Sequence, residues 1–143
     1  MHDTILVPTD GSDASLAAVD EALEIAAPQD ATIHFLHVID VGTEMSAAAS
    51  GQVAQQLSDT LEQQADDALD EAVSRAEDAG VDYERVILEG DPDSAIVDYV
   101  EEHDVDLVAI GATGRSGLAE RILGSTTDRV VRSVEIPVLL ARA

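Results

Sequence analysis

Leu107-Val108-Ala109-Ile110 runs directly into Gly111-Ala112-Thr113-Gly114, and nine residues later the chain reads Gly124-Ser125-Thr126. The first four residues are the short, unbroken apolar run that a strand buried on both faces leaves in a sequence. A glycine loop then joins this strand end to a helix start. Backbone N–H groups approach a phosphate closely only where no Cβ intervenes, and a helix N-terminus adds unpaired donors and the positive end of its dipole. This stretch therefore predicts an anion cradle at the carboxyl end of a buried strand.

Outward from it, apolar runs and helical periods alternate along the whole chain. Thr4-Ile5-Leu6-Val7 reads as a first buried strand, ended by Pro8-Thr9-Asp10-Gly11. Ser12 is a good N-cap for a helix with Leu16, Val19, Leu23 and Ala26 on one face, and Pro28-Gln29-Asp30 is expected to break it. Ala31 to Val38 is a second strand, and Asp40 to Gly51 shows no period and reads as a loop. A long helix comes next, from about Val53 to Ala79, with Leu57, Leu61, Ala65, Ala68, Leu69, Ala72 and Ala76 as its inner stripe and Gly80 as its stop. Its outer face carries eight acids against Arg75 alone, which reads as solvated surface. Tyr83 to Leu88 is a third strand, and Asp91-Pro92 opens a helix that turns Ile96, Tyr99 and Val100 inward. After the fourth strand, Asp106 to Ile110, a last helix is expected from about Ser125 to Ser133. Ile136-Pro137-Val138-Leu139-Leu140 closes the chain as a fifth strand, its proline placing it at a sheet edge or subunit contact.

Strands and helices in strict alternation, with unbroken apolar strands, predict a parallel sheet covered by helices on both faces. No internal repeat or long linker divides residues 1–143, so the expected architecture is one α/β domain, a Rossmann-like open sheet of five parallel strands.

Composition narrows the function classes. Aromatics make up 2% of the 143 residues, so the core must be built from Ala, Val, Leu and Ile. Without cysteine there is no disulfide and no thiol chemistry. No window approaches the roughly 18–20 apolar residues of a membrane span, and the start shows no signal-peptide pattern, so a cytoplasmic location is expected. The formal net charge is −23 and all seven basic residues are Arg. That balance disfavours nucleic acid and anionic membranes as partners, and acid excess without lysine resembles proteins of salt-in halophiles. Against this background Gly111 to Arg132 holds four arginines (Arg115, Arg121, Arg129, Arg132) and two acids, a locally positive stretch.

Open parallel sheets take ligands beyond the carboxyl ends of strands whose crossovers leave in opposite directions. Two strand ends here carry suitable chemistry: Pro8-Thr9-Asp10 after the first, and the glycine loop after the fourth. Asp10 suits a ribose hydroxyl or a divalent cation, or simply caps the following helix. The glycines and the Ser125 and Thr126 hydroxyls suit phosphate. Other α/β schemes lack their key residues: a P-loop and a response-regulator receiver each need a lysine, and the chain has none. Flavodoxins and dinucleotide-binding Rossmann domains place their phosphate loop after the first strand. The four histidines do not cluster with carboxylates at metal-ligand spacing. His37, at a strand end, fits a hydrogen-bonded structural role better than a ligand contact, and His34 reads as buried or half-buried within its strand.

The spacing Gly111-x2-Gly114-x9-Gly124-Ser125 resembles the signature of the ATP-binding branch of the universal stress protein (UspA-like) family. Ile5 to Ser12, His37-Val38 and Ile136 to Leu140 resemble that family's first strand and loop, second strand end and final strand, so the likeness spans the chain. The resemblance implies strand order 3-2-1-4-5, ATP or another adenine nucleotide as ligand, and Mg or Mn at most through the nucleotide at Asp10. It implies adenine beside Val38 and phosphates at Gly111, Gly114, Gly124, Ser125 and Thr126. Pro8, Thr9, Ile110 and Arg115 complete the expected site. It further implies a homodimer through the fifth strand and a stress or signalling role by ligand occupancy. A slow metal-dependent ATPase or a nucleotide-independent adaptor remains the alternative.

Overall fold

Thr4–Pro8 (β1) is buried from Ile5 to Pro8 because it forms the middle of the sheet, with a strand on each side. The computed structural model describes residues 3–40, 52–113 and 124–143, with the backbone alone for 52–58. The other strands are Thr32–Ile39 (β2), Tyr83–Glu89 (β3), Leu107–Gly111 (β4) and Val138–Ala141 (β5). All neighbours run parallel, in the order β3-β2-β1-β4-β5. The crossovers are helices Asp13–Gln29 (α1), Gln52–Ala79 (α2), Pro92–Glu102 (α3) and Ser125–Ser133 (α4). This is the Rossmann-like sheet order that the resemblance implied.

One face of the sheet packs Ile5, Val7, Ile33 and Phe35 against Ala18, Ala22 and Ala26 of α1 and Leu69, Ala72 and Ala76 of α2. Alanine stripes let both helices lie close to the strands, which is how a chain with one Phe fills a core at native density. The other face packs Leu6, Leu36, Val108 and Ile110 against Ile96, Tyr99 and Val100 of α3 and Val130 of α4.

Three features differ from expectation. Helix α1 runs through Pro28 to Gln29. A proline in the last turn removes only one hydrogen bond, and the stop comes from Asp30, whose left-handed backbone (φ 59°) closes back on Ala26 and Ala27. Pro137 precedes β5 rather than sitting inside it, and its carbonyl accepts the Val108 N–H at 3.1 Å. Finally, β3 is an edge strand with exposed Glu84, Arg85, Ile87 and Glu89, so it is not covered on both faces.

Candidate functional site

The crossover from β1 leads to β2 on one side and that from β4 leads to β5 on the other, so a crevice opens between the carboxyl ends of β1 and β4. A cleft of about 240 Å³ lies there. Pro8, Thr9, Asp10, Val38, Ile110, Gly111, Gly124, Ser125 and Thr126, the expected site residues within the described chain, all line it. Gly114 and Arg115 lie outside the described residues, as does Arg121.

The β1 end is held from three sides. Thr9 is buried; its N–H donates to the Leu36 carbonyl at 2.8 Å and its hydroxyl meets that of Ser15 at 3.1 Å. Its own carbonyl lies 2.8 Å from His37 Nδ1. A carbonyl only accepts, so Nδ1 carries the proton in that bond. Asp10 is half-buried, and its Oδ1 accepts the Ser12 N–H at 2.9 Å. Ser12 Oγ in turn accepts the Ser15 N–H at 3.2 Å, the expected N-cap of α1. Asp10 thus shapes the turn into α1 as well as facing the cleft.

The glycines divide their work in a way spacing alone does not show. A Cβ on Gly111 would lie 2.7 Å from the Ala14 carbonyl carbon and 2.8 Å from the Ser15 nitrogen. Glycine is needed at this position because the first turn of α1 presses against the end of β4. The Gly124 N–H donates to the Ala112 carbonyl at 2.9 Å, so it is spent on the end of β4 rather than facing an anion. Gly124 is also the N-cap of α4 and carries no capping side chain. The first bond within the helix runs from the Asp128 N–H to the Gly124 carbonyl at 2.9 Å. Helix geometry leaves the N–H groups ahead of it without intrahelical partners, at the positive end of the dipole. Ser125 and Thr126 bring that end, with two hydroxyls, into the cleft.

Two supporting residues escaped the sequence reading. Thr127, buried, donates from Oγ1 to the Gly111 carbonyl at 2.8 Å and so joins the α4 start to the β4 end. Ser15 braces Thr9. Their only sequence signal is a small hydroxyl residue within one turn of a helix start. Leu36, Val38, Ile96 and Ile110 give the cleft an apolar wall. The positive stretch is partly spent inside the protein: Arg129 pairs with Asp93 at 3.2 Å and Arg132 with Asp128 at 3.0 Å.

His34 bridges β2, β3 and α3. Its Nδ1 lies 2.6 Å from the Tyr99 hydroxyl and its Nε2 2.7 Å from Glu84. Burial lowers the imidazole pKa below its ordinary value, only partly offset by Glu84. Burial also raises that of Tyr99. Among the described residues no helix is long and apolar enough to cross a membrane, and no group of three or more metal-ligating side chains gathers.

The sequence profile of the universal stress protein family matches residues 1–142. Universal stress protein MJ0531 of Methanocaldococcus jannaschii is 35% identical over 142 residues, covering 99% of this chain and 83% of its own length. The solved structure of MJ0577, from the same archaeon, superposes with a TM-score of 0.89 at 28% identity, covering 100% of this chain and 97% of that one. A universal stress protein solved in complex with cAMP is 32% identical, with a TM-score of 0.71 over 99% of this chain and 97% of its own. The chain therefore belongs to the universal stress protein family.

Proposed function

We propose that this protein binds an adenine nucleotide, with ATP as first candidate, in the cleft between β1 and β4. The observation that carries the reading is one cavity that joins an apolar wall to an uncapped helix N-terminus. An adenine ring suits Leu36, Val38 and Ile110, and phosphate oxygens suit the N–H groups and hydroxyls at Ser125 and Thr126. Asp10 suits a ribose hydroxyl, or a Mg or Mn ion carried by the nucleotide. Gly114 and Arg115 belong to the same proposed site. The cAMP complex of a relative supports the ligand class.

Binding without rapid turnover fits these residues best. The chain has no lysine to clamp a transferring phosphoryl group, and the Nδ1 proton of His37 is committed to the Thr9 carbonyl. We infer a signalling protein that acts through occupancy and subunit state, working in the cytoplasm of a salt-accumulating cell. Its dimer would form through the edge of β5, where Leu140 is 41% exposed. Calorimetric titration with ATP in molar KCl, on wild type and Gly124→Val, tests the site. Saturable binding that the substitution abolishes supports it; equal binding by both, or by neither, refutes it. Product formation over hours with Mg²⁺, lost in Asp10→Asn, would favour the slow ATPase instead.

A further inference from the structure

A second groove, about 520 Å³, runs along the edge strand β3 on the side facing α3, the helix whose Pro92 and Ile96 also line the nucleotide cleft. Its floor is half-buried Val86 and Leu88 and buried Tyr99, whose ring stacks on His103 at 3.8 Å. Its rim is acidic: Glu89, Asp91, Asp98 and Glu102, all exposed, with no Arg among the residues that line it.

An acidic rim means little by itself in a chain of net charge −23. What sets this one apart is the apolar floor it encloses. On the other side of β3, Arg85 spans to Asp66 and Asp70 at 2.6 and 2.7 Å, and Arg75 takes Asp20 and Glu71. Near the groove mouth Asp93 has Arg129, and below the floor Glu84 has His34. Glu89, Asp98 and Glu102 have no cationic partner among the described residues. The neighbouring Asp93 carboxyl pushes the pKa of Asp91 up, with Arg129 acting against it. The groove therefore combines an apolar floor with three carboxylates, Glu89, Asp98 and Glu102, that have no ion-pair partner among the described residues.

We propose that the β3–α3 groove is a docking surface for a basic polypeptide segment of another protein, an aliphatic side chain on the floor and flanking Arg or Lys on the rim. The outer backbone edge of β3 offers such a segment main-chain hydrogen bonds as well. A second copy of this chain is the wrong occupant, because it would bring a net charge of −23 to an acidic rim. Docking here is independent of whether the other cleft takes a nucleotide.

The probe is a fluorescent decapeptide of alternating arginine and leucine, titrated in 1 M KCl, where the screening length is about 3 Å and only contact pairs survive. Saturable binding is expected, with shifts of the Leu88 and Tyr99 resonances. It should weaken at least five-fold in a triple variant Glu89→Gln, Asp98→Asn, Glu102→Gln whose circular dichroism matches wild type. Neutralising three acids on the outer face of α2 (Glu62→Gln, Glu77→Gln, Asp78→Asn) should leave it unchanged. Equal weakening by both triple variants would reduce the effect to general acidity and overturn the proposal. So would equal binding of an arginine–serine decapeptide, which cannot use the floor, or absence of binding by the arginine–leucine probe.

Discussion

Gly111→Ala should be among the most damaging single-methyl additions possible in this fold. The new Cβ would stand 2.7, 2.8 and 2.9 Å from the Ala14 carbonyl carbon, the Ser15 nitrogen and Ala14 Cβ. Ordinary contact begins near 3.4 Å, so the deficit is about 0.5 to 0.7 Å. Two of the three atoms are helix backbone, which cannot rotate aside. The first turn of α1 must move as a unit and carry with it the Ser12 cap and the Ser15 bond to Thr9. Overpacking of this kind costs about 2–3 kcal/mol, or roughly 6–10 °C in Tm for a domain of this size. Urea unfolding at fixed KCl measures it, with Gly80→Ala as comparison. Gly80 has open space around it but a left-handed φ of 69°, so alanine there should cost only about 1 kcal/mol through backbone strain. Displacement of the α1 turn should also weaken ATP binding in Gly111→Ala and leave it intact in Gly80→Ala. If Gly111→Ala unfolds at the same urea midpoint as wild type, the close approach of α1 to β4 is wrong, and the reason given for this glycine falls with it.

Single contacts and the overall charge carry the other expected outcomes. Thr127→Val removes the hydroxyl that donates to the Gly111 carbonyl and should cost about 1–2 kcal/mol, while Thr127→Ser should be near wild type; equal losses in chemical denaturation would remove that bond from the account. His34 has a folded pKa below its ordinary 6.5, so its neutral form favours the fold. That contribution is complete above pH 6.5 and is lost as pH falls through the folded value, because the unfolded chain then binds the extra proton. Between about pH 7.5 and 5, wild type should therefore lose stability more steeply than His34→Gln; identical pH slopes would contradict the burial of this ring. The net charge of −23 predicts a Tm that climbs from roughly 0.1 M to molar KCl as self-repulsion is screened, and a flat salt response would count against the halophilic reading.

Most element positions were legible because they rest on local signals: apolar runs, the Ser12 cap, the Asp91-Pro92 start and the Gly80 stop. Parallel strands were legible from the alternation of elements, but their order came only through the family resemblance, since no local signal records which strands pair. The first-turn hydroxyls of α4 were legible too, because a helix start after glycine is a local pattern. The division of labour among the glycines was not. Gly111 must be small because a helix start far earlier in the chain, at Ala14 and Ser15, comes to rest on it, and no spacing records that approach. The same holds for Thr127 and Ser15, whose partners are distant in sequence or hidden in a turn. Exposure of β3 escaped because Val86, Ile87 and Leu88 read as a buried run, whereas the strand's place at the sheet edge leaves Ile87 42% exposed. The arginine-rich stretch promised more positive charge than the cleft receives, since Arg129 and Arg132 turn to carboxylates on α3 and α4.

We propose an adenine nucleotide as the occupant of the cleft between β1 and β4. The most direct measurement is to purify the protein in molar KCl, denature it and identify any released small molecule by chromatography and mass spectrometry. Wild type should release an adenine nucleotide, and Gly124→Val should release none. Protein that releases no nucleotide, and whose melting temperature ignores added ATP, would contradict it.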